Sequence, residues 1–343
     1  MNILVIGLGS IGQRHIRNLR KLYGDKINLY AFRERNNSVF LDDNGNLREG
    51  KIEDVYHIKT YFDIDKCFNE NKIDAVIVST ITAKHVLFTK IALQHGAAVF
   101  IEKPLSDKMD GVQEIIQLAE EKNLIVQMGF QMRHHPCVKA LKVLLDHGVL
   151  GQVFSADFLI GEKVDKMHQY EDYRKTYIVT RSLGGGVVLN QQIHEIDLML
   201  YLFGKPDRIF SSVGKLKNID SDVEDYADSI YIFESSKNMT ITMHSDFATY
   251  PPQRKLRVRA ENGFAEIDFL KASMVFREKD KDIQEIVFDK FQRNDMFLEE
   301  IEEFIQAVPN NSHLGVSLAE GTVSLDVALN TLHKANELKG DKL

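Results

Sequence analysis

Short, unbroken apolar runs separated by amphipathic stretches open this chain. Ile3–Ile6, Ile27–Phe32, Ala75–Ser79, Val99–Ile101 and Ile125–Met128 each read as a strand covered on both faces, because a strand with one wet face would alternate. Between them, His85–His95 and Gly111–Lys122 space their apolar residues as helices do. After the first run, Ile16, Leu19, Leu22 and Tyr23 fall on one helical face. Strand alternating with helix predicts a doubly wound parallel sheet, an α/β domain over residues 1–128. The Asp, Asn and Gly crowded into Asp42–Gly50 mark a surface hairpin or loop insertion.

The pattern changes after Gly129. A helix around Val138–His147 leads to a strand over Gln152–Ile160, and partly alternating runs follow at Ser229–Phe233, Met239–Asp246, Lys255–Arg259, Ala265–Phe269 and Ser273–Arg277. Consecutive strands joined by short polar turns predict an antiparallel sheet with one face covered by helices. Two helical patterns, near Met296–Val308 and Leu318–Lys339, close the chain. Residues 129–343 are therefore read as a second domain in which helices cover a mostly antiparallel sheet.

Composition narrows the function. With 343 residues, 44% hydrophobic and 27% charged, the chain has the material for two domains with large cores. A net charge of −7 argues against nucleic acid or an anionic membrane as a partner. No stretch approaches the ~18 apolar residues of a membrane span. The N-terminus starts on a core-like strand rather than a cleavable leader. Cys67 and Cys137 are the only cysteines, which excludes a disulfide framework and zinc-ligand spacing. No metal and a cytoplasmic location are expected.

Chemistry concentrates in three segments. The first strand runs into Gly7-Leu-Gly9-Ser10-Ile11-Gly12, the glycine fingerprint of a dinucleotide site, where the backbone must approach a pyrophosphate at a helix N-terminus. The second strand ends in Arg33-Glu34-Arg35. Arg33 and Arg35 suit the 2′-phosphate of NADP, so the cofactor NAD(P) is read as leaning to NADP, while Glu34 would serve NAD. Thr80 and His85, beyond the next strand, are further cofactor-side candidates. Glu102-Lys103-Pro104 ends a buried strand where ligands gather in open α/β sheets, and a desolvated Lys103 amine can exchange a proton with a substrate hydroxyl. Third, Gly184-Gly-Gly leads into a helix carrying Asn190, His194 and Asp197 along one face, with His194 able to act as acid or base.

Other clusters are weaker. Arg133-His134-His135 lacks a closed set of metal ligands. Tyr170-Glu-Asp-Tyr173-Arg174-Lys175-Thr-Tyr177 mixes rings and cations suited to a hydroxylated or phosphorylated ligand, and Asp246 through Arg254 reads as a rigid turn or a plain connection.

Taken together, the glycine fingerprint, Glu102–Pro104 and Gly184–Asp197 resemble the Gfo/Idh/MocA oxidoreductase family, with further likeness at Gly129–Pro136 and after Asn294. The resemblance spans nearly the whole chain. It implies an N-terminal Rossmann domain and a C-terminal α/β domain whose large, mostly antiparallel sheet makes a homo-oligomer, dimer or tetramer. It also implies a substrate held between domains, cofactor contacts from Glu102 and Lys103, and Lys103 and His194 as the catalytic pair. Members commonly carry Asp where this chain has Asn190, which cannot accept a proton as a carboxylate does. The Tyr170–Arg174 and Asp246–Arg254 segments resemble a branch acting in surface-carbohydrate synthesis. The implied reaction is hydride transfer with a sugar or nucleotide sugar, contacted by Gln131, Arg133, Tyr173, Arg174, Asn190, Gln191, His194 and Arg254. Two rivals fit the same motifs: a redox-assisted glycosidase that keeps its NAD, and a catalytically silent cofactor-binding protein.

Overall fold

The computed structural model describes residues 1–34, 39–42, 45–234, 238–312 and 315–339. Six parallel strands form the first sheet: β1 (Asn2–Ile6), β2 (Asn28–Phe32), β3 (Ile58–Tyr61), β4 (Ala75–Val78), β5 (Ala98–Glu102) and β6 (Val126–Gly129). Their apolar runs are unbroken because both faces are covered. On β1, Ile3 and Val5 face one core with Ile16 and Phe304, while Leu4 and Ile6 face another with Phe88 and Leu93. Helices α1 (Ser10–Tyr23), α2 (Ile52–Tyr56), α3 (Ile64–Glu70), α4 (His85–Gln94) and α5 (Val112–Glu121) connect the strands. The insertion read at Asp42–Gly50 closes on a bridge between Leu41 and Leu47.

Helix α6 (Pro136–Asp146) leads into a second sheet built from β7 (Val153–Gly161), β8 (Arg208–Gly214), β9 (Tyr226–Phe233), β10 (Met239–Asp246), β11 (Gln253–Ala260), β12 (Gly263–Asp268), β13 (Ser273–Arg277) and β14 (Gln284–Val287). Its order is β14-β13-β12-β11-β7-β10-β9-β8, antiparallel except where β10 runs parallel to β7. A short α7 (Val164–Met167), a π-helical turn over Val188–Gln192 and α8 (Ile193–Phe203) lie between β7 and β8. Helices α8 and α10 (Leu318–Lys339) cover one face, where the Tyr231 hydroxyl meets Thr331 Oγ1 at 3.0 Å. The other face alternates out to solvent: Phe210 lies opposite Ile230 and Ile230 opposite Thr242.

The chain does not divide cleanly at residue 128. Helix α9 (Arg293–Asn310) returns to pack on α1, where Asn294 bonds Arg14 and Asn18 at 2.8 Å each and Phe304 reaches Phe100. After it, β15 (Val316–Ser317) pairs antiparallel with β6 and completes the first sheet at its edge. Among the described residues no helix is long and apolar enough to cross a membrane.

Candidate active site

The site is built along the carboxyl edge of the first sheet, where β1 and β5 flank β4. β1 ends in the glycine loop. Gly7 has φ +96°, and a side chain there would strike the Ser79 carbonyl at 2.7 Å. A Cβ on Gly12 would lie 2.0 Å from the Gly7 carbonyl, so only glycine lets α1 start this close to the strand. Gly9 is different: a Cβ there meets nothing within 4 Å. The first turn of α1, starting Ser10-Ile11, has no side-chain cap and no acidic residue. Its N–H groups and dipole suit an anion. Protein packing explains Gly7 and Gly12 but leaves Gly9 open, as a backbone approached by pyrophosphate requires. These residues fit a bound dinucleotide.

β5 delivers Glu102 and Lys103 in opposite senses. Glu102 is buried and accepts from His15 Nε2 at 2.6 Å, which turns it back onto α1 rather than toward a cofactor. Lys103 points the other way, and its Nζ donates to the main-chain carbonyl of Asn190 at 2.9 Å. That carbonyl lies in the π-helical turn immediately before α8, four residues ahead of His194. Wide turns of this kind occur often at functional sites. Burial pulls the Lys103 amine down to about 8, with Arg254 and Arg293 helping and Glu102 and Glu195 opposing.

His194 is buried, with no hydrogen-bond partner on Nδ1 among the described residues. Burial first, and then the charges of Lys103, Arg254 and Arg293, hold its pKa well below the usual range, so the ring is neutral. An amine near neutrality and an imidazole that stays uncharged have separate uses: one can exchange a proton, the other can hold a hydroxyl by a hydrogen bond.

Several other sequence candidates have different occupations. Asn190 donates its side-chain amide to the Tyr177 hydroxyl at 3.2 Å, so its main chain, not its side chain, meets Lys103. Asp197, expected on the His194 face, instead accepts a two-pronged ion pair from Arg133 at 2.7 and 2.8 Å. Arg133 also bonds Glu320 at 2.6 Å, which makes it a brace between α8 and α10. Arg174 is exposed and folded onto Asp172, while the Tyr173 hydroxyl accepts from Asp220 N at 3.3 Å; both belong to a surface loop. His85 is likewise a brace, its ring nitrogens facing the carbonyls of Pro104 at 2.7 Å and Thr80 at 3.1 Å. Gln131 and Gln191 are buried, and Gln191 Oε1 has no partner among the described residues. Arg33 is ion-paired with Glu53, and Lys84 holds Glu34 at 2.5 Å; Arg35 lies outside the described residues.

Arg254 does join the site. Its Nε donates to Glu195 Oε1 at 2.7 Å, next to His194 in sequence. Four residues escaped the sequence reading as individuals. Tyr177 meets Asn190, and the Tyr170 hydroxyl meets the Ser10 side chain across the domains. Nothing in the local sequence pattern singled out Glu195 or Arg293. The mixed rings of the Tyr170–Tyr177 segment were the available signal for the first two.

Comparison with known proteins agrees with the fold and with a Rossmann-type first sheet. The profile of the oxidoreductase family with an NAD-binding Rossmann fold matches residues 1–130, and that of the GFO/IDH/MocA C-terminal domain matches residues 138–266. The chain belongs to the Gfo/Idh/MocA family of oxidoreductases. It is similar to the myo-inositol 2-dehydrogenase of Thermotoga maritima, 27% identical over 337 residues, covering 95% of this chain and 93% of that one. It is also similar to the UDP-N-acetylglucosamine 3-dehydrogenase of Acidithiobacillus ferrooxidans, 24% identical over 89% of this chain and 87% of that one. A levoglucosan dehydrogenase solved with NADH shares the fold with a TM-score of 0.84 at 13% identity, over 98% of this chain and 97% of that one.

Proposed function

We propose that this oxidoreductase interconverts a hydroxyl-bearing carbon and a keto carbon of a sugar, polyol or nucleotide sugar, with Lys103 exchanging the hydroxyl proton and His194 orienting the hydroxyl. The observation that carries this reading is the Lys103 amine, pulled down to about 8 and anchored on the Asn190 carbonyl beside a neutral His194. Gly7, Gly9 and Gly12 with the α1 N-terminus, Ser10 and Ile11, would hold the dinucleotide's pyrophosphate. When bound, the nicotinamide accepts or returns the hydride that the alcohol carbon exchanges. In the oxidising direction the neutral Lys103 takes the hydroxyl proton. In the reverse direction the ammonium gives it back. The His194 ring, uncharged, fixes the oxygen without competing for that proton. Sugar and polyol names among the relatives support the substrate class.

Arg33 carries the NADP reading by its charge, but that charge is already engaged by Glu53. A 2′-phosphate would have to share Arg33 with a carboxylate, whereas Glu34, though held by Lys84, keeps lone pairs that can still accept from a ribose hydroxyl. This geometry favours NAD over NADP. The alternating outer face of the second sheet, with Phe210 and Ile230 exposed, supports a homo-oligomer formed there. Free, buried Cys67 and Cys137 support a reducing, cytoplasmic setting.

Lys103→Met tests the reading. Turnover of a responsive sugar or polyol, followed by nicotinamide absorbance, should fall by about 10²–10⁴-fold with dinucleotide affinity kept. Unchanged turnover would remove Lys103 from the reaction.

A further inference from the structure

We infer that the compound reacting beside Lys103 carries an anionic group, a carboxylate or a phosphate, gripped by Arg254 and Arg293. The inference rests on Lys103 and His194 being the reaction centre.

Arg254, the second residue of β11, spends only part of its guanidinium on Glu195. Its Nε makes that bond at 2.7 Å, while Nη2 is buried with no hydrogen-bond partner among the described residues. A buried charged donor left without a partner is costly, so an acceptor from outside the chain is the natural complement.

Arg293 is brought to the same wall by a continuous set of contacts. The Phe269 N–H donates to the Arg254 carbonyl at 3.0 Å. The Phe269 ring packs edge-on to His135 at 5.2 Å, and His135 packs on Phe291 at 4.8 Å. Two residues beyond Phe291, Arg293 opens α9, exposed and with no ion-paired partner among the described residues. Glu162 acts on it only through its field.

The charges do not balance. Lys103, Arg254 and Arg293 all bear on His194, yet Glu195 is the one carboxylate bonded to any of the three among the described residues. Glu102 is turned away to His15. Burial also pushes Glu195 upward, toward its neutral form, which weakens the counter-charge further. Neutral hydroxyls would leave two neighbouring guanidiniums on one wall without a shared counter-charge, whereas an anion would join them through charge-assisted, forked hydrogen bonds. The dinucleotide's phosphates have their own place at the glycine loop, on the first strand rather than on this wall.

The test compares D-glucuronate, D-glucose 1-phosphate and UDP-D-glucuronate with neutral D-glucose, in the presence of NAD, by thermal shift and titration of binding. An anionic probe should outbind glucose, and Arg293→Gln should weaken that probe by about tenfold or more without changing NAD affinity. Glucuronate against glucose 1-phosphate distinguishes a carboxylate from a phosphate. Arg293→Gln that binds the anions like wild type, that weakens glucose equally, or that loses NAD would overturn the inference, as would anions binding no better than glucose. The same titration in Lys103→Met separates the two readings, because an anion can still bind there whether or not turnover survives.

Discussion

The Lys103 Nζ donates to the main-chain carbonyl of Asn190 at 2.9 Å, tying the end of the fifth parallel strand to the helical turn that carries His194. This bond links the carboxyl edge of the first sheet to the helical segment that leads into α8. It fixes an amine, pulled down to about 8, where a substrate hydroxyl would meet it.

The pH dependence of the reaction follows from that amine. Below about 8 it is ammonium, and above it is a free base. Oxidation of an alcohol, which needs the base, should show kcat/KM climbing with pH and levelling above that value, while the reductive direction falls over the same span. An inflection that persists in Lys103→Met would assign the titration to another group.

Asn190→Asp should move that inflection. A carboxylate at this position stabilises the ammonium of Lys103, so the oxidative profile should shift upward by roughly one pH unit. A profile that stays in place would mean that the side chain at 190 keeps its contact with Tyr177 and does not feel Lys103.

Cofactor choice can be turned through Glu53. Glu53→Gln removes the charge that engages Arg33, and NADP affinity relative to NAD should rise by about tenfold. The ratio of dissociation constants measures it directly. No change would show that Arg33 does not reach the 2′ position.

Arg133 offers a stability prediction. Asp197 is fully buried and its charge is met by Arg133, so Arg133→Ala should cost about 3–5 kcal/mol in urea unfolding. Pairing Arg133→Met with Asp197→Leu should recover much of that loss, since neither charge is then stranded. A raised KM with stability intact would instead restore Arg133 as a substrate contact.

Ile230→Lys addresses assembly. Ile230 and Phe210 face each other across β8 and β9 on the outer face, 42% and 47% exposed. A lysine there should shift the oligomer to smaller species in light scattering. A wild-type chain that is already monomeric would refute the proposed contact.

The sequence made most of the scaffold legible where one face pattern dominated. Met239–Asp246, Ser273–Arg277 and Leu318–Lys339 lie where alternation or helical spacing puts them, because most of their buried positions are apolar, buried polar residues such as Ser245 and Thr331 being too few to break the pattern. β8 and β14 were not visible: Arg-Ile-Phe-Ser-Ser-Val-Gly buries a serine beside Val213, and Gln-Glu-Ile-Val is an exposed edge. β15 has two residues and exists only because β6 offers an edge. In the site, Lys103 and His194 stood out through local motifs. The ion pair of Arg133 with Asp197 was not legible because its partner lies on a distant helix, and Arg293 was passed over because only folding brings it near Arg254.

The return of α9 and β15 to the first sheet has a consequence for biosynthesis. A ribosome releases β1 to β6 early, yet the edge of β6 and the apolar face of α1 stay uncovered until the chain beyond Arg293 emerges. The nucleotide-binding half must wait for α9 and β15, made much later, before its fold is closed, and a nascent chain stalled before them would expose Phe100 and the β6 edge to other chains.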